Sequence, residues 1–295
     1  RCVQTYRAGP ELWTSPTYTP ATDPTQQLLL EDYDFTYDQV GNIAEIKDWR
    51  PAPDWPSGAK PVSRRFEHDD LYRVTRVRYD HAAGAATWTS PFAAEHTDPT
   101  LPQPSPHVEF TERVKEQRYS YDHLGNTTRT TDDASGFFDR SLGNVVNGTP
   151  TAAPHQLLSA SNRTLTPSSP RKGDLAAEYD AAGNLTALTL SRDGPCLPAG
   201  ASCWQRFAYG WDELGNLVEA RRFDLSAAER AAHAALSSTL PPRPADAHLR
   251  YVYDSSGQRV IKTAIDPASN ESHTVYIFAG LELRQTWWTA PASPP

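Results

Sequence analysis

Aromatic and polar residues alternate along several stretches of the chain, and each stretch runs into the same short phrase. Phe35 and Tyr37 alternate with polar residues before the first phrase, and Phe207, Tyr209 and Trp211 alternate in the same way before a later one. A period of two places the rings on one face of a β-strand. The pattern therefore predicts strands with one aromatic face, not amphipathic helices.

The phrase itself is an aromatic residue, Asp, two variable residues, Gly and usually Asn. The Asp can accept backbone N–H bonds within a turn, and the Gly can adopt the positive φ that a tight reversal needs. Alternation resumes after the phrase, so each copy predicts a β-hairpin. The full copies are Tyr37-Asp38-Gln39-Val40-Gly41-Asn42, Tyr121-Asp122-His123-Leu124-Gly125-Asn126, Tyr179-Asp180-Ala181-Ala182-Gly183-Asn184 and Trp211-Asp212-Glu213-Leu214-Gly215-Asn216, and a looser last copy is Tyr253-Asp254-Ser255-Ser256-Gly257-Gln258.

Three looser versions of the phrase lie between these copies. We interpret Tyr79–Gly84 and Phe138–Asn144 as further hairpin turns, and His68–Arg73 as a decayed copy. A single hairpin is marginally stable in water, so neighbouring hairpins must pair laterally to bury their aromatic face. The repeats therefore predict an all-β array of antiparallel hairpins.

The array occupies most of the chain in this interpretation. We expect an irregular lead-in with strands over residues 1–30, the hairpin array over 31–285 and a linker or frayed end over 286–295. A short helical insertion interrupts the array at about residues 226–240. It begins with the capping box Ser226-Ala227-Ala228-Glu229 and ends before Pro241.

Composition limits the classes of protein that the chain can belong to. Hydrophobic residues make up 38% of the chain and there are 26 prolines, which favours a thin sheet with a large surface over a dense globule. The net charge of −8 argues against non-specific nucleic-acid binding, which needs positive charge. No stretch approaches the roughly 18 apolar residues of a membrane-spanning helix.

The beginning of the chain also carries an expectation. The sequence starts at Arg1 and contains no methionine. We therefore expect a piece of a longer protein, and no signal peptide within the sequence itself.

The chain has three cysteines. Cys196 and Cys203 bracket a short segment that fits a loop between two strands, where a disulfide would suit a secreted protein. The alternative is a pair of free thiols in a cytosolic protein. Cys2 is left over, and a free terminal thiol is the simplest interpretation.

The sequence contains no motif that predicts catalysis. It has no His-Glu-x-x-His, no phosphate-binding glycine loop and no Gly-x-Ser-x-Gly elbow, so we expect neither enzymatic activity nor a cofactor. Acidic runs such as Glu31–Asp34 and Asp132-Asp133 offer oxygen ligands for calcium, but local hydrogen bonding within turns is the simpler explanation. We expect no metal site.

Tryptophans outside the repeated phrase are the candidate ligand-contacting residues. Trp55, Trp287 and Trp288 could stack on sugars or on peptide if they are exposed. The alternative is that they pack between layered hairpins, because repeats must bury some large side chains.

The repeated Tyr-Asp-x-x-Gly-Asn phrase resembles the YD repeats of the Rhs family. That family includes bacterial Rhs polymorphic toxins, the B and C components of insecticidal toxin complexes and, distantly, the animal teneurins. The resemblance implies a curved, spiralling sheet that forms a segment of a secreted bacterial shell. It also implies two kinds of partner, namely other segments of the same polypeptide and an enclosed C-terminal toxin domain.

The chain departs from the family at one point that concerns chemistry. Members of the family cleave themselves after an Asp-Pro-x-Gly type motif, but Asp23-Pro24, Asp98-Pro99 and Asp266-Pro267 all lack the Gly. The resemblance therefore implies a structural role for this stretch and no catalytic one. The alternative hypothesis is an extracellular, adhesin-like β-repeat module that binds carbohydrate, such as a cell-surface glycan, or a receptor.

Overall fold

A computed structural model describes the protein over residues 1–6, 29–55, 58–88, 105–149, 152–165, 170–233, 240–266, 268–278 and 281–288. The described residues form antiparallel strands almost throughout, with one α-helix, α1 (Ala227–His233), and one 3-10 turn at Ala52–Asp54. The predicted all-β hairpin array with a short helical insertion is confirmed. In chain order the strands are β1 (Cys2–Tyr6), β2 (Leu29–Tyr37), β3 (Ile43–Asp48), β4 (Val62–His68), β5 (Val74–His81), β6 (His107–Val108), β7 (Glu116–Tyr121), β8 (Thr127–Asp132), β9 (Gly143–Thr149), β10 (Ala152–Ser161), β11 (Gly173–Tyr179), β12 (Leu185–Arg192), β13 (Cys196–Leu197), β14 (Gln205–Trp211), β15 (Leu217–Asp224), β16 (Ala247–Tyr253), β17 (Arg259–Ile265), β18 (Glu271–Phe278) and β19 (Leu281–Trp288).

The chain divides into two compact units. The first comprises Arg1–Pro104 and Glu109–Gly136, and the second comprises Ser105–Val108 and Phe137–Pro295. In the first unit β1, β2, β3, β4, β5, β7 and β8 pair in that order, each antiparallel to the next. Three hairpins therefore stand side by side, and their tight turns all lie at the same end of the strands.

The two faces of the first unit differ in chemistry because side chains alternate along each strand. Cross-strand register aligns Phe66 with Val77 and Arg64 with Tyr79 on one face. On the other face Arg65 bridges Glu45 at 3.2 Å and Asp80 at 2.9 Å. Further ion pairs on this face join Arg76 to Glu67 and Glu116, Arg78 to Glu67, and Arg118 to Glu116.

The second unit is also built from antiparallel hairpins placed side by side. Strands β9, β10, β11, β12, β14, β15, β16, β17, β18 and β19 pair antiparallel in that order, and β6 pairs with β13 apart from them. Phe137, Leu175 and Leu190 form one buried apolar cluster. Phe223 and Leu225 anchor a second cluster.

The short helix begins where its capping box predicts. The Ser226 amide donates to Glu229 Oε2 at 2.7 Å, and the Glu229 amide donates to Ser226 Oγ at 3.3 Å. Arg243 Nε also donates to Glu229 Oε1 at 2.8 Å. These donors lower the pKa of Glu229 to about 2, the largest contribution being the Arg243 hydrogen bond. Part of the predicted insertion, residues 234–239, lies outside the described residues.

Two of the looser repeat copies are not hairpin turns, so their interpretation was wrong. Strand β5 continues through Tyr79 to His81, and β9 begins at Gly143 inside the other copy. In both copies the Gly lies one residue further from the Asp than in the full phrase. The tight turn needs its positive-φ residue three positions after the Asp, and the extra residue removes that match.

Candidate functional site

The repeated phrase builds the same closed turn at every full copy. Asp212 shows the pattern: its Oδ1 accepts the Leu214 amide at 2.9 Å and the Asn216 amide at 2.8 Å, and its Oδ2 accepts Asn216 Nδ2 at 3.0 Å. Gly215 holds φ at +80° and donates its amide to the Asp212 carbonyl at 3.1 Å. These donors, led by the Asn216 side chain, lower the pKa of Asp212.

The other predicted repeat residues occupy equivalent positions. Each Asp carboxylate accepts backbone amides two and four residues later, and each Gly has positive φ. The residues that form these turns are Asp38 with Gly41 and Asn42, Asp122 with Gly125 and Asn126, Asp180 with Gly183 and Asn184, and Asp254 with Gly257 and Gln258.

Two further turns use the same geometry without glycine. In the decayed copy Tyr72 takes the place of Gly with φ +63°, and Arg73 Nε donates to Asp69 Oδ2 at 2.8 Å where Asn does so elsewhere. Between β17 and β18, Asp266 accepts the Asn270 amide and side chain, both at 2.8 Å. Sequence reasoning missed this last turn, although Asp and Asn four residues apart were its signal.

The aromatic residue of the phrase connects one hairpin to its neighbour. Tyr121 Oη donates to the Val74 carbonyl at 2.7 Å, and Trp211 Nε1 donates to the Leu185 carbonyl at 2.8 Å. The same bond joins Tyr179 to Leu157 at 2.9 Å and Tyr253 to Leu217 at 2.8 Å. Val74, Leu185 and Leu217 are the first residues of return strands. We call these four bonds the hairpin staples.

The hairpin staples explain why Tyr or Trp precedes the Asp of the phrase, which the alternation of aromatic and polar residues alone does not explain. Phe would pack equally well but has no donor, whereas Tyr and Trp each carry one polar hydrogen. Tyr37, in the first hairpin, is 47% exposed and its hydroxyl makes no staple to a described residue. From the sequence alone, the aromatic residue was expected only to pack along the strand. The recurrence of Tyr or Trp before Asp was the available signal.

A buried polar cluster lies in the second unit, at the end of the strands opposite the repeated turns. Arg192 ends β12 and donates to the Asp139 carboxylate, to Gln205 Oε1 at 2.7 Å and to the carbonyls of Pro106 and Cys203. Burial lowers the pKa of Arg192 and raises that of Asp139, even though each ion opposes the shift of the other. The cluster gathers segments that are distant in sequence, so no local pattern predicted it.

The predicted cysteine pair lies beside this cluster. Cys196 and Cys203 form a disulfide with a Cα–Cα distance of 5.8 Å. Cys196 belongs to β13 and pairs with Val108, while Cys203 is 3% exposed. The disulfide therefore closes the loop that covers Arg192. Cys2 is an exposed free thiol.

Of the three candidate ligand-contacting tryptophans, Trp55 has a described side chain. Trp55 is half-buried, and the Arg50 guanidinium lies 4.7 Å from its ring centre. Trp287 and Trp288 lie in β19, with side chains outside the described part. Trp49 is 50% exposed, and its Nε1 donates to Asp34 Oδ2 at 3.0 Å.

Residues of the acidic runs accept hydrogen bonds from other segments of the chain where they are described. Asp32 Oδ1 accepts Gln4 Nε2 at 3.0 Å, and Asp133 Oδ1 accepts the Lys115 amide at 3.0 Å. Within the described ranges no group of three or more His, Cys, Asp or Glu side chains is arranged to hold a metal ion. No helix in the described part of the chain is long and apolar enough to cross a membrane.

These features define a β-hairpin repeat protein whose repeated phrase closes the turns and, at four of them, bonds the hairpin to its neighbour. No protein-family model and no curated protein matches the chain. Its structure is similar to crystal structures of TcdB2-TccC3-Cdc42 (TM-score 0.39, 16% identity), TcdB2-TccC3 without its hypervariable C-terminal region (0.38, 16%) and TcdB2-TccC3-TEV (0.37, 13%). The matches cover 87–88% of this chain and only 12–13% of those chains.

Proposed function

We propose that the chain is a wall segment of an Rhs/YD-repeat shell that encloses a toxin or effector polypeptide. The observation that carries the proposal is the set of hairpin staples, because at four repeats the phrase that closes the turn also bonds the hairpin to its neighbour. A wall built in this way extends by adding hairpins, and each new hairpin brings its own bond to the previous one.

Containment is the mechanism in this proposal, and it needs no catalytic residue. A hairpin wall is weakest between two neighbouring hairpins, because no tight turn joins their adjacent strands. The hairpin staples lie between these strands, next to the turns, and each satisfies a backbone carbonyl there. A chain inside the shell would thus be separated from solvent proteases by a continuous hydrogen-bonded sheet.

Partners and location follow from the same proposal. The partners are other segments of the same polypeptide and the enclosed C-terminal domain. Secretion is supported by the Cys196–Cys203 disulfide, since such bonds persist in oxidising compartments.

The test uses the complete natural polypeptide that contains this chain. Electron microscopy should show a particle with an internal volume, and limited proteolysis should leave the enclosed domain intact. Trp211→Phe combined with Tyr253→Phe removes two hairpin staples and should expose the enclosed domain to the protease sooner. Tyr37→Phe is the matched control, because Tyr37 makes no staple to a described residue. A solid particle without internal volume, or equal protection in all variants, would refute the proposal.

A second candidate function is an extracellular module that binds carbohydrate or a cell-surface receptor. Its support is Trp49, a half-exposed indole fixed by Asp34, because exposed aromatic rings flanked by carboxylates can stack on sugars and bond their hydroxyls. Glycan-array binding by this chain that is lost in Trp49→Ala and kept in Trp55→Ala would favour it. Silence of the unmodified protein across a broad array would count against it.

A further inference from the structure

The first unit contains two grooves between neighbouring hairpin turns, and they are filled differently. The first groove lies between the turn at residues 38–42 and the turn at 69–73, and it is an open space of about 380 Å³. The second groove lies between the turn at 69–73 and the turn at 122–126. The two grooves are equivalent, because successive hairpins pair in the same way on both sides of the middle one.

An arginine of the chain itself occupies the second groove. Arg73 Nη1 donates to the Asp122 carbonyl at 2.9 Å, and Arg73 Nε donates to Asp69 Oδ2 at 2.8 Å. The same guanidinium lies over the Tyr121 ring, 4.7 Å from its centre. A carboxylate, a turn carbonyl and an aromatic face thus surround one planar cation, an arrangement that suits guanidinium better than ammonium.

The first groove keeps these acceptors but lacks the cation. The residue equivalent to Arg73 is Asn42, whose side chain donates to its own Asp38 at 2.9 Å. His68 and Asp69 stand where Tyr121 and Asp122 stand in the second groove. Nothing in the first groove therefore supplies a positive charge to its turn acceptors.

Other residues around the first groove add to its attraction for a cation. Asp38, Asp69 and Asp70 line it, and no lysine or arginine does. The Asp69 carboxylate is already paired with Arg73 at 2.8 Å, so the carboxylates that have no ion partner among the described residues are Asp38 and Asp70. Asp70 is exposed and makes no ion pair or hydrogen bond with any described residue. Phe66 and Tyr72 supply ring surface, and Tyr72 is 61% exposed.

We propose that the first groove binds the guanidinium of an arginine presented by a partner protein segment, in the place that Arg73 takes in the second groove. The groove is acidic and partly aromatic, so an arginine side chain matches both its charge and its surface. The proposal concerns a docking site at the turn end of the wall. It does not depend on what the wall encloses.

The probe for the test is N-acetyl-arginine-N-methylamide, titrated into the 295-residue protein while backbone amide NMR signals are followed. We expect saturable shifts at Val40 and Leu71 with a Kd on the order of 1–10 mM, as befits one side chain. Asp70→Asn should weaken binding about fivefold, as expected for one partly exposed charge pair. Glu213→Gln, at the same position of another turn, should leave it unchanged. The uncharged N-acetyl-citrulline-N-methylamide should not bind.

Two exchange variants test the equivalence of the grooves directly. Asn42→Arg should fill the first groove from within and abolish the shifts at Leu71. Arg73→Asn should open the second groove, so that the probe also shifts the amide of Leu124. The proposal is overturned if the citrulline probe binds equally, if Asp70→Asn binds as tightly as the unmodified protein, or if the shifts never saturate.

Discussion

Replacing Arg192 with methionine should destabilise the second unit more than any single surface change. The Arg192 and Asp139 side chains are 3% and 18% exposed, although Asp139 exposes its backbone. Methionine keeps much of the buried volume but removes all the donors. The Asp139 carboxylate, Gln205 Oε1 and the carbonyls of Pro106 and Cys203 then lose their partner.

The expected loss of unfolding free energy in Arg192→Met comes from leaving the buried Asp139 carboxylate without its counter-ion. Breaking a buried ion pair from one side costs about 3–5 kcal/mol, and the remaining exposure of Asp139 places this case near 3 kcal/mol. That is a large share of the roughly 5–15 kcal/mol that stabilises a typical domain. The matched control is Arg163→Met, since Arg163 also pairs with two carboxylates, Asp174 and Asp193, but is 36% exposed. It should cost less than about 1 kcal/mol.

The pH dependence of this loss of stability is a second, independent test. Burial already raises the pKa of Asp139, and Arg192 opposes that rise. Without Arg192 the pKa of Asp139 must rise further, so the folded variant takes up a proton at a higher pH than the unfolded chain does. The difference in unfolding free energy between the variant and the unmodified protein should therefore be largest at about pH 7.5 and shrink towards about pH 4.

Urea unfolding followed by tryptophan fluorescence and circular dichroism measures both effects. The difference in unfolding free energy between Arg192→Met and the unmodified protein is compared at the two pH values. Equal costs for Arg192→Met and Arg163→Met, or a deficit that is the same at both pH values, would refute the reasoning that a buried ion pair holds this end of the unit.

Three further predictions concern the turns and the helix. Tyr253→Phe removes one hairpin staple and should lower the unfolding free energy by about 1 kcal/mol, whereas Tyr37→Phe should change it little; equal effects would contradict the staple. Gly215→Ala should cost about 1 kcal/mol through its φ of +80°, because the new Cβ meets no atom within 4 Å; a neutral result in urea unfolding would show that the turn adapts. Since hydrogen bonds from Arg243 and Ser226 depress the pKa of Glu229 to about 2, its contribution is present above the ordinary value of 4.5 and is lost as the pH falls towards 2. Glu229→Gln should remove that part of the acid slope, and an unchanged slope would be evidence against it.

The hairpin architecture was predictable because its determinants are local. The Asp, Gly and Asn of each phrase lie within five consecutive residues, and their hydrogen bonds form within the turn itself. The capping box of α1 is local in the same sense. Two looser copies misled the interpretation because they keep the residue types and change the spacing, and the geometry depends on spacing.

The residues that tie the structure together across the sequence could not be located in the same way. Trp211 donates to Leu185 and Arg192 bonds Pro106, partners that the register of the sheet and the loop paths bring near. The sequence by itself determined the turns, the strand alternation and the helix start, because each rests on neighbours along the chain. Only the tertiary structure decided the hairpin staples, the buried arginine cluster and which groove an internal arginine fills, because these depend on which strands lie side by side.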